Sequence, residues 1–324
     1  MSITYHHYIL NAISEIHPGA GKDDFSPIDQ LIQRNTLGIP HIQYSSMKGC
    51  IREYFEDNRH PHIEYIFGGK RPIREVMLEL CESISNDAIK VPLVNEIKNI
   101  LIDNSHKHNT YGKFDFDESI LLSIPSRINN GIYCNIFCPL TLKIWSEKLL
   151  KAEHLIPGNQ LNILKAIINE LGKIQPAENE AISLSDVGVY TSIEMEVTVT
   201  EKKQIDSRLN DALIAFFGKY PVYLHDKDFL KLTDNFHLPV IMRNKVKPSG
   251  SVHDDSNVWS EQVLPRWTRF YTIVGIPNDT DKLISDTFLN NLDNKVIALG
   301  GNLSVGYGNI QVKEWQPTSI QSAN

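Results

Sequence analysis

RFYTIVGIPNDTDKLISDTFLNNLDNKVIALGGNLSVGYGNIQVKEW, residues 269–315, is the stretch that sets the architecture. It opens with Arg269–Ile276, a β-branched and aromatic run bounded by Pro277 and Asn278, which predicts a strand. In DTDKLISDTFLNNL, Asp279 or Thr280 can accept the first free helical N–H groups, and Leu283, Phe288 and Leu292 fall on one helical face. The chain then turns through a glycine-rich stretch and alternates again in NIQVKEW, which closes as a strand.

The N-terminal end carries the complementary half. ITYHHYIL, residues 3–10, reads as a strand, and a loop runs from His17 to about Pro40. YSSMKGCIREYFED then predicts a helix, with Ser45 or Ser46 as N-cap and Met47, Cys50, Ile51, Tyr54 and Phe55 as its apolar stripe. Strand–helix at one end and strand–helix–strand at the other fit an α+β fold with a ferredoxin-like, RRM-like βαββαβ core. The expected organisation is one domain over residues 1–324. Its palm comes from about 1–60 and 265–315, its helical and loop insertions from about 60–235, and a β-hairpin thumb from about 238–264.

Within the insertions, residues 92–102 and 161–171 predict helices, the second with Leu161, Leu164, Ile168 and Leu171 on one face. TSIEMEVTV predicts a strand with Ile193, Met195, Val197 and Val199 inward. DSRLNDALIAFFG predicts a helix with Leu209, Leu213 and Phe216 on one face and Gly218 at its end. Connections this long and irregular point to functional loops.

Of the 324 residues, 41% are hydrophobic and 22% charged, which specifies a packed core and excludes a disordered chain. No apolar run reaches the length of a membrane span, and MSITYHHYIL lacks the basic start and cleavage site of a signal peptide, so a cytoplasmic protein is expected. Cys50, Cys81, Cys134 and Cys138 lack the paired spacing of a zinc site and read as buried, reduced thiols. The net charge of −7 excludes a protein basic all over, but a local basic stripe is enough to hold phosphates.

Three constellations carry candidate chemistry. From Gln30 to Arg52 the chain holds Arg34, Lys48 and Arg52 and no acid. Ser45, Ser46 and the free N–H groups of the helix start can hold a phosphate there, with Lys48 and Arg52 on the same face; a solvated basic face is the alternative. Asp29 lies in the loop ahead, with His17, Asp23 and Asp24, and a loop acid is ordinarily a turn or cap residue. The second constellation is the turn with Gly300, Gly301, Asn302, Gly306 and Gly308. A helix precedes it, so it is no Rossmann fingerprint, and it lacks the Lys-Ser/Thr of a P-loop. Bare backbone N–H groups can wrap an anionic polymer, or the glycines simply meet a turn's need for positive φ. The third is residues 237–270. Val240, Met242 and Val246 form a rising arm, KPSGS a turn, and Trp259 and Val263 a returning arm, with Arg243, Lys245 and Lys247 crowded on one side. Such a basic hairpin can wedge between stacked bases; a plain exposed hairpin is the competing view.

Several stretches in their order resemble one family. IHPGAG, SPIDQLIQR, IPHIQYSSMKGCIRE and IFGG resemble the N-terminal signature of the RAMP proteins that form the backbone of type III CRISPR effectors. FDFDESILLSIPSRINNGIYCNIFCPLTL, LHDKDF, WSEQVLP and LGGNLSVGYG resemble later motifs of the type III-B (Cmr) backbone subunit. The resemblance implies copies stacked along one crRNA, each displacing one nucleotide with its thumb. It also implies a loop aspartate in each copy, matching Asp29, that cuts complementary target RNA with Mg²⁺ or another weakly bound divalent cation and no organic cofactor. His17 would be a proton-transfer partner. The implied RNA-binding residues are Arg34, Ser45, Ser46, Lys48, Arg52, Arg243, Lys245, Lys247, Gly300, Gly301, Asn302, Ser304, Gly306, Tyr307 and Gly308. The implied partners are crRNA, target RNA, further copies of the chain and other subunits of the complex, with no membrane. PSRINNG is looser than the family's form, and Asn35 stands where an acid is expected after the Arg. An inert RNA-binding scaffold, or an enzyme holding a nucleotide or phosphate on the glycine turn, are the competing functions.

Overall fold

The computed structural model describes residues 2–22, 26–69, 92, 111–128, 133–152, 158–184, 198–202, 205–206, 209–244, 258–301 and 305–315. In chain order the elements begin with β1 (Ile3–Ala12), β2 (Gly19–Lys22), β3 (Gln30–Ile32), β4 (His41–Ile42), α1 (Tyr44–Asp57) and α2 (Ile63–Phe67). There follow β5 (Asp115–Phe116), β6 (Ser119–Arg127), β7 (Tyr133–Phe137), α3 (Pro139–Ala152), α4 (Gly158–Gly172), β8 (Glu180–Ser183), β9 (Thr198–Lys202) and α5 (Asn210–Phe217). The rest comprises β10 (Pro221–Leu224), α6 (Asp226–Leu232), β11 (Val240–Asn244), β12 (Val258–Gln262), β13 (Arg269–Pro277), α7 (Lys282–Leu292), β14 (Lys295–Ala298) and β15 (Asn309–Glu314).

The fold is mixed α+β. Its large sheet runs β14-β15-β1-β13-β6-β7-β10-β8-β9, with β4 and β5 on the side of this path. β1 lies between β13 and β15 and is antiparallel to both, in register from Ile3↔Pro277 to Asn11↔Arg269 on one side and from Tyr8↔Glu314 to Ala12↔Ile310 on the other. β13 continues antiparallel onto β6. A second sheet, β11-β12-β3-β2, stands apart.

The apolar runs of the central strands follow from cover on both faces. On one face Tyr8, Leu10, Phe270 and Val274 pack with Met47, Ile51 and Phe55 of α1 and with Phe288 and Leu292 of α7. On the other, Ile9, Leu122, Tyr271 and Ile273 pack with Trp145 of α3, Leu164 and Ile167 of α4, and Phe216 of α5. Cys50, Cys134 and Cys138 are buried, and burial pushes the Cys50 thiol up to about 12 and the Cys138 thiol higher still.

Several local expectations change. The N-cap of α1 is Gln43, whose backbone N–H donates to Gln33 Oε1 at 3.0 Å, so Ser45 and Ser46 lie inside the first turn. The cap of α7 is Asp281, whose side chain accepts from the Leu283 N–H at 2.8 Å. The helix therefore starts later than Asp279 or Thr280, and Leu283 points out to solvent. Leu209 is buried but precedes α5. In α4 Leu164, Ile167 and Leu171 are the buried residues, with Leu161 and Ile168 only partly so. The predicted helix 92–102 apart from residue 92, and Ile193, Met195 and Val197, lie outside the described residues.

Candidate nucleic-acid interface

β12 organises the site. A strand on a sheet buries alternate side chains, yet Ser260, Glu261 and Gln262 are all buried, at 5%, 2% and 0% exposure. Each satisfies a different neighbour. Gln262 Oε1 accepts from the Ile32 N–H at 3.4 Å, while its Nε2 donates to Asn235 O at 3.1 Å. Glu261 Oε1 accepts from Trp259 Nε1 at 2.8 Å. Glu261 Oε2 lies 2.7 Å from Arg243 Nε, a contact of charges in which the N–H is not aimed at the oxygen. The Arg243 guanidinium also sits 4.8 Å over the Tyr307 ring, joining the ribbon β11–β12 to the glycine turn.

Ser260 holds Asp29. The Ser260 backbone N–H and Oγ both donate to Asp29 Oδ2, at 2.7 and 2.9 Å. In return the Asp29 N–H donates to Ser260 Oγ at 3.0 Å. This reciprocal clasp fixes the loop carboxylate, half-buried, at the foot of the ribbon. His17 is buried and its Nδ1–H donates to Gln262 O at 2.6 Å. Its ring packs against Gly19, where a Cβ would come within 2.8 Å of Nε2. These contacts fix the ring between the loop and β12.

The glycine turn is tied to the same place. His17 bridges Gly300, the Gly308 N–H donates to Glu15 O at 2.8 Å, and the Asn309 N–H donates to Ser14 Oγ at 3.0 Å. At Gly300, with φ of +83°, an added Cβ would sit 2.2 Å from His17 O. Here the glycine is required by the chain's own backbone. Gly301 is exposed with open space around it, so main chain is accessible there.

The start of α1 has no acidic residue in its first turn and no side-chain cap, which leaves its N–H groups to an outside acceptor. Ser45 is exposed, Ser46 and Lys48 half-buried. Arg52 is turned along its own helix, its Nε donating to Glu56 Oε1 at 2.8 Å. Arg34 donates Nε to Asn235 Oδ1 at 2.9 Å and Nη1 to Gly38 O at 2.7 Å. Burial lowers its guanidinium to about 10, against the charge of Asp234. Arg34 thus braces two loops. Asn35 organises the next turn, its Oδ1 accepting from the Leu37 and Ile39 N–H groups, a duty a carboxylate oxygen would also perform. Asp23, Asp24, Lys245, Lys247, Asn302 and Ser304 lie outside the described residues.

Among the described residues no three His, Cys, Asp or Glu side chains come together in a way that could hold a metal ion. With Oδ2 of Asp29 committed to Ser260, the described donor set does not build a cation cage. Sequence reasoning did not single out Ser260, Glu261 and Gln262, which hold the candidate site's loops together. The available signal was three consecutive polar side chains between Trp259 and Val263, which violates the alternation of an exposed strand.

The family model described as the RAMP superfamily matches residues 9–311. The chain is 21% identical over 318 residues to the CRISPR system Cmr endoribonuclease Cmr4 of Pyrococcus furiosus, covering 94% of this chain and 93% of that protein. The type III-B Cmr-beta cryo-EM structure bound to cognate target RNA contains a chain that superposes with a TM-score of 0.68 at 21% identity, over 95% of this chain and 96% of that one. Oligomeric Cmr4 from Pyrococcus furiosus superposes with a TM-score of 0.60 at 18% identity, over 98% and 100%. At these identities the likeness is one of fold.

Proposed function

The chain belongs to the RAMP superfamily, and on that basis we propose that it is a backbone subunit of a type III-B CRISPR effector which binds crRNA and cuts complementary target RNA. The order β15-β1-β13-β6, fully antiparallel with α1 after β1 and α7 after β13, is read as the ferredoxin-like palm. Residues of about 1–60 and 265–315 supply three of its four strands, and β6 (Ser119–Arg127) comes from the stretch between them. The ribbon β11–β12 is the base of the thumb. An RRM stacks bases on an open sheet face. Here helices cover both faces, so RNA is assigned to the loops and turn at the sheet's edge: the start of α1 with Ser45, Ser46 and Lys48, the glycine turn, and the ribbon.

The observation that carries the catalytic part is the Asp29–Ser260 clasp, which sets a charged carboxylate at the foot of the thumb. The proposed reaction is attack of a ribose 2′-oxygen on its own 3′-phosphorus. The new O–P bond displaces the 5′-oxygen and leaves a cyclic phosphate and a 5′-hydroxyl. A nucleotide pushed out by the thumb brings the three atoms into line, and positioning of that kind can contribute about 7–11 kcal/mol. Asp29 takes up the 2′-hydroxyl proton, a solvent water gives a proton to the departing 5′-oxygen, His17 holds the loop in place, and a divalent cation such as Mg²⁺ comes with the RNA rather than residing on the chain.

One observation favours an inert scaffold. The same clasp gives Asp29 a structural duty that needs no chemistry. Purification through this chain followed by incubation with labelled complementary RNA separates the readings. The expected result is a particle with high absorbance at 260 relative to 280 nm that cuts the target at regular intervals, and whose Asp29→Ala form keeps its RNA and cuts nothing. An RNA-free chain whose melting temperature rises with nucleotide would overturn the proposal.

A further inference from the structure

Bulky residues rarely take positive φ, and where they do the surroundings impose it, often at a working site. Tyr220 (φ 56°) and Trp267 (φ 71°) both take it, and both touch the same ring. Tyr133 stacks on Trp267 with centroids 4.5 Å apart and planes at 25°, and meets Tyr220 edge-on at 6.3 Å. Trp267 is 40% exposed, and the Arg266 guanidinium lies 5.4 Å from its ring centroid.

The Trp267 backbone is pinned by strand ends. Its N–H donates to Ala12 O at 2.6 Å, and the Ala12 N–H donates to Thr268 O at 3.0 Å. The segments that meet here, 125–127, 133–135, 218–221 and 264–269, carry Arg127, Lys219, Arg266 and Arg269 and neither Asp nor Glu. The place is also continuous with the candidate interface. Residues 12–16 leave β1 with Leu264 bonded to Ile16 on one side and Gly308 and Asn309 bonded to Glu15 and Ile13 on the other. Tyr220 also packs against the apolar core, and the Thr268 N–H donates to Pro265 O at 3.2 Å across the turn that holds Trp267, but neither contact calls for an exposed indole.

We propose that Tyr133, Trp267 and Arg266 form a stacking platform for one nucleobase of single-stranded RNA, separate from Asp29 and the ribbon. The base takes the exposed indole, and Arg266 swings from the ring to the flanking phosphate. Every base has a π-face, so the platform reads no sequence. This inference rests on the RNA-binding reading above.

Trp267→Gly is the suitable variant, since glycine accepts the left-handed backbone without strain and the fold is kept. The full-length chain, in the particle it purifies with, is irradiated with a single-stranded oligoribonucleotide carrying 5-iodouridine, and adducts are mapped by mass spectrometry. The wild type is expected to cross-link at Trp267 or Tyr133. Trp267→Gly loses the adduct and about five- to a hundred-fold in affinity for that RNA, the range of one base stack removed. Trp267→Phe keeps most of the affinity, and Arg266→Gln lowers its salt dependence. Wild-type affinity in Trp267→Gly overturns the platform alone and leaves the RNA-binding reading intact. So does a loss of copy-to-copy association in RNA-free protein, which would make the surface a protein interface. A wild-type chain that binds no RNA overturns both.

Discussion

Around Phe288 the rings of Phe114, Phe55 and Phe116 lie 5.0, 5.2 and 6.2 Å away, and each contact is a matter of area and shape. Around Ser260 and Glu261 the neighbours are Asp29, Trp259 and Gln30, and each contact is a matter of direction. The first region gains free energy from burial with little demand on angle. The second gains little net free energy per bond, but it fixes where a carboxylate points, and removing a partner there strands a buried polar group. Stability and positioning are thus held by different parts of the chain, and substitutions should separate them.

The largest expected effect is in the apolar region. Phe288→Ala should cost about 3–5 kcal/mol in urea unfolding, whereas a loss under about 1 kcal/mol would mean the rings do not share a core. Acid tests a buried imidazole on the opposite face of the sheet, where His7 stacks on Tyr271. Burial holds His7 down at about 4, with His6 adding to the effect and Glu314 opposing it. The unfolded chain protonates this imidazole near 6.5. Its contribution is therefore complete above that pH, declines as pH falls towards about 4, and amounts to about 3 kcal/mol over the window. Thermal melts at neutral and acid pH should show a smaller drop for His7→Phe than for wild type, and equal drops would mean that His7 does not govern the acid sensitivity.

The directional region should behave in the opposite way. Ser260→Ala is expected to cost only about 1 kcal/mol of stability, the net value of a hydrogen bond. It should still slow cleavage at saturating target about tenfold with target affinity unchanged, because the carboxylate loses the hydroxyl half of its clasp. Normal cleavage would show that the clasp positions nothing. The smallest effect belongs to Lys48→Ala. Removing this one cation from a phosphate should lower the slope of log affinity against log salt by about 1 and leave cleavage at saturation unaltered. An unchanged slope would take Lys48 off the RNA.

The two regions also differ in how far the sequence discloses them. The stripe Met47, Cys50, Ile51, Tyr54 and Phe55 follows from periodicity and the strand 269–276 from its β-branched and aromatic run, and all are buried as expected except the half-buried Tyr54 and Arg269. Periodicity fails at Leu283, because Asp281, two residues earlier, caps the helix and turns its first residues to water. The Asp29–Ser260 pair joins positions 231 residues apart, which no local pattern records. Residue type alone leaves Asp29 an ordinary loop acid, and only the family resemblance singles it out. Nor does a Trp or Tyr announce positive φ, so Trp267 and Tyr220 become visible only once the strands around them are placed.

The decisive measurement for a cutting carboxylate is single-turnover cleavage by the Asp29→Asn particle. Asparagine keeps an acceptor oxygen for the Ser260 donors and removes the charge, so the clasp survives and the proton acceptor does not. Wild-type crRNA retention and target affinity are expected, with cleavage slowed at least about a hundredfold. Cleavage at the wild-type rate would leave Asp29 a structural fastener and nothing more.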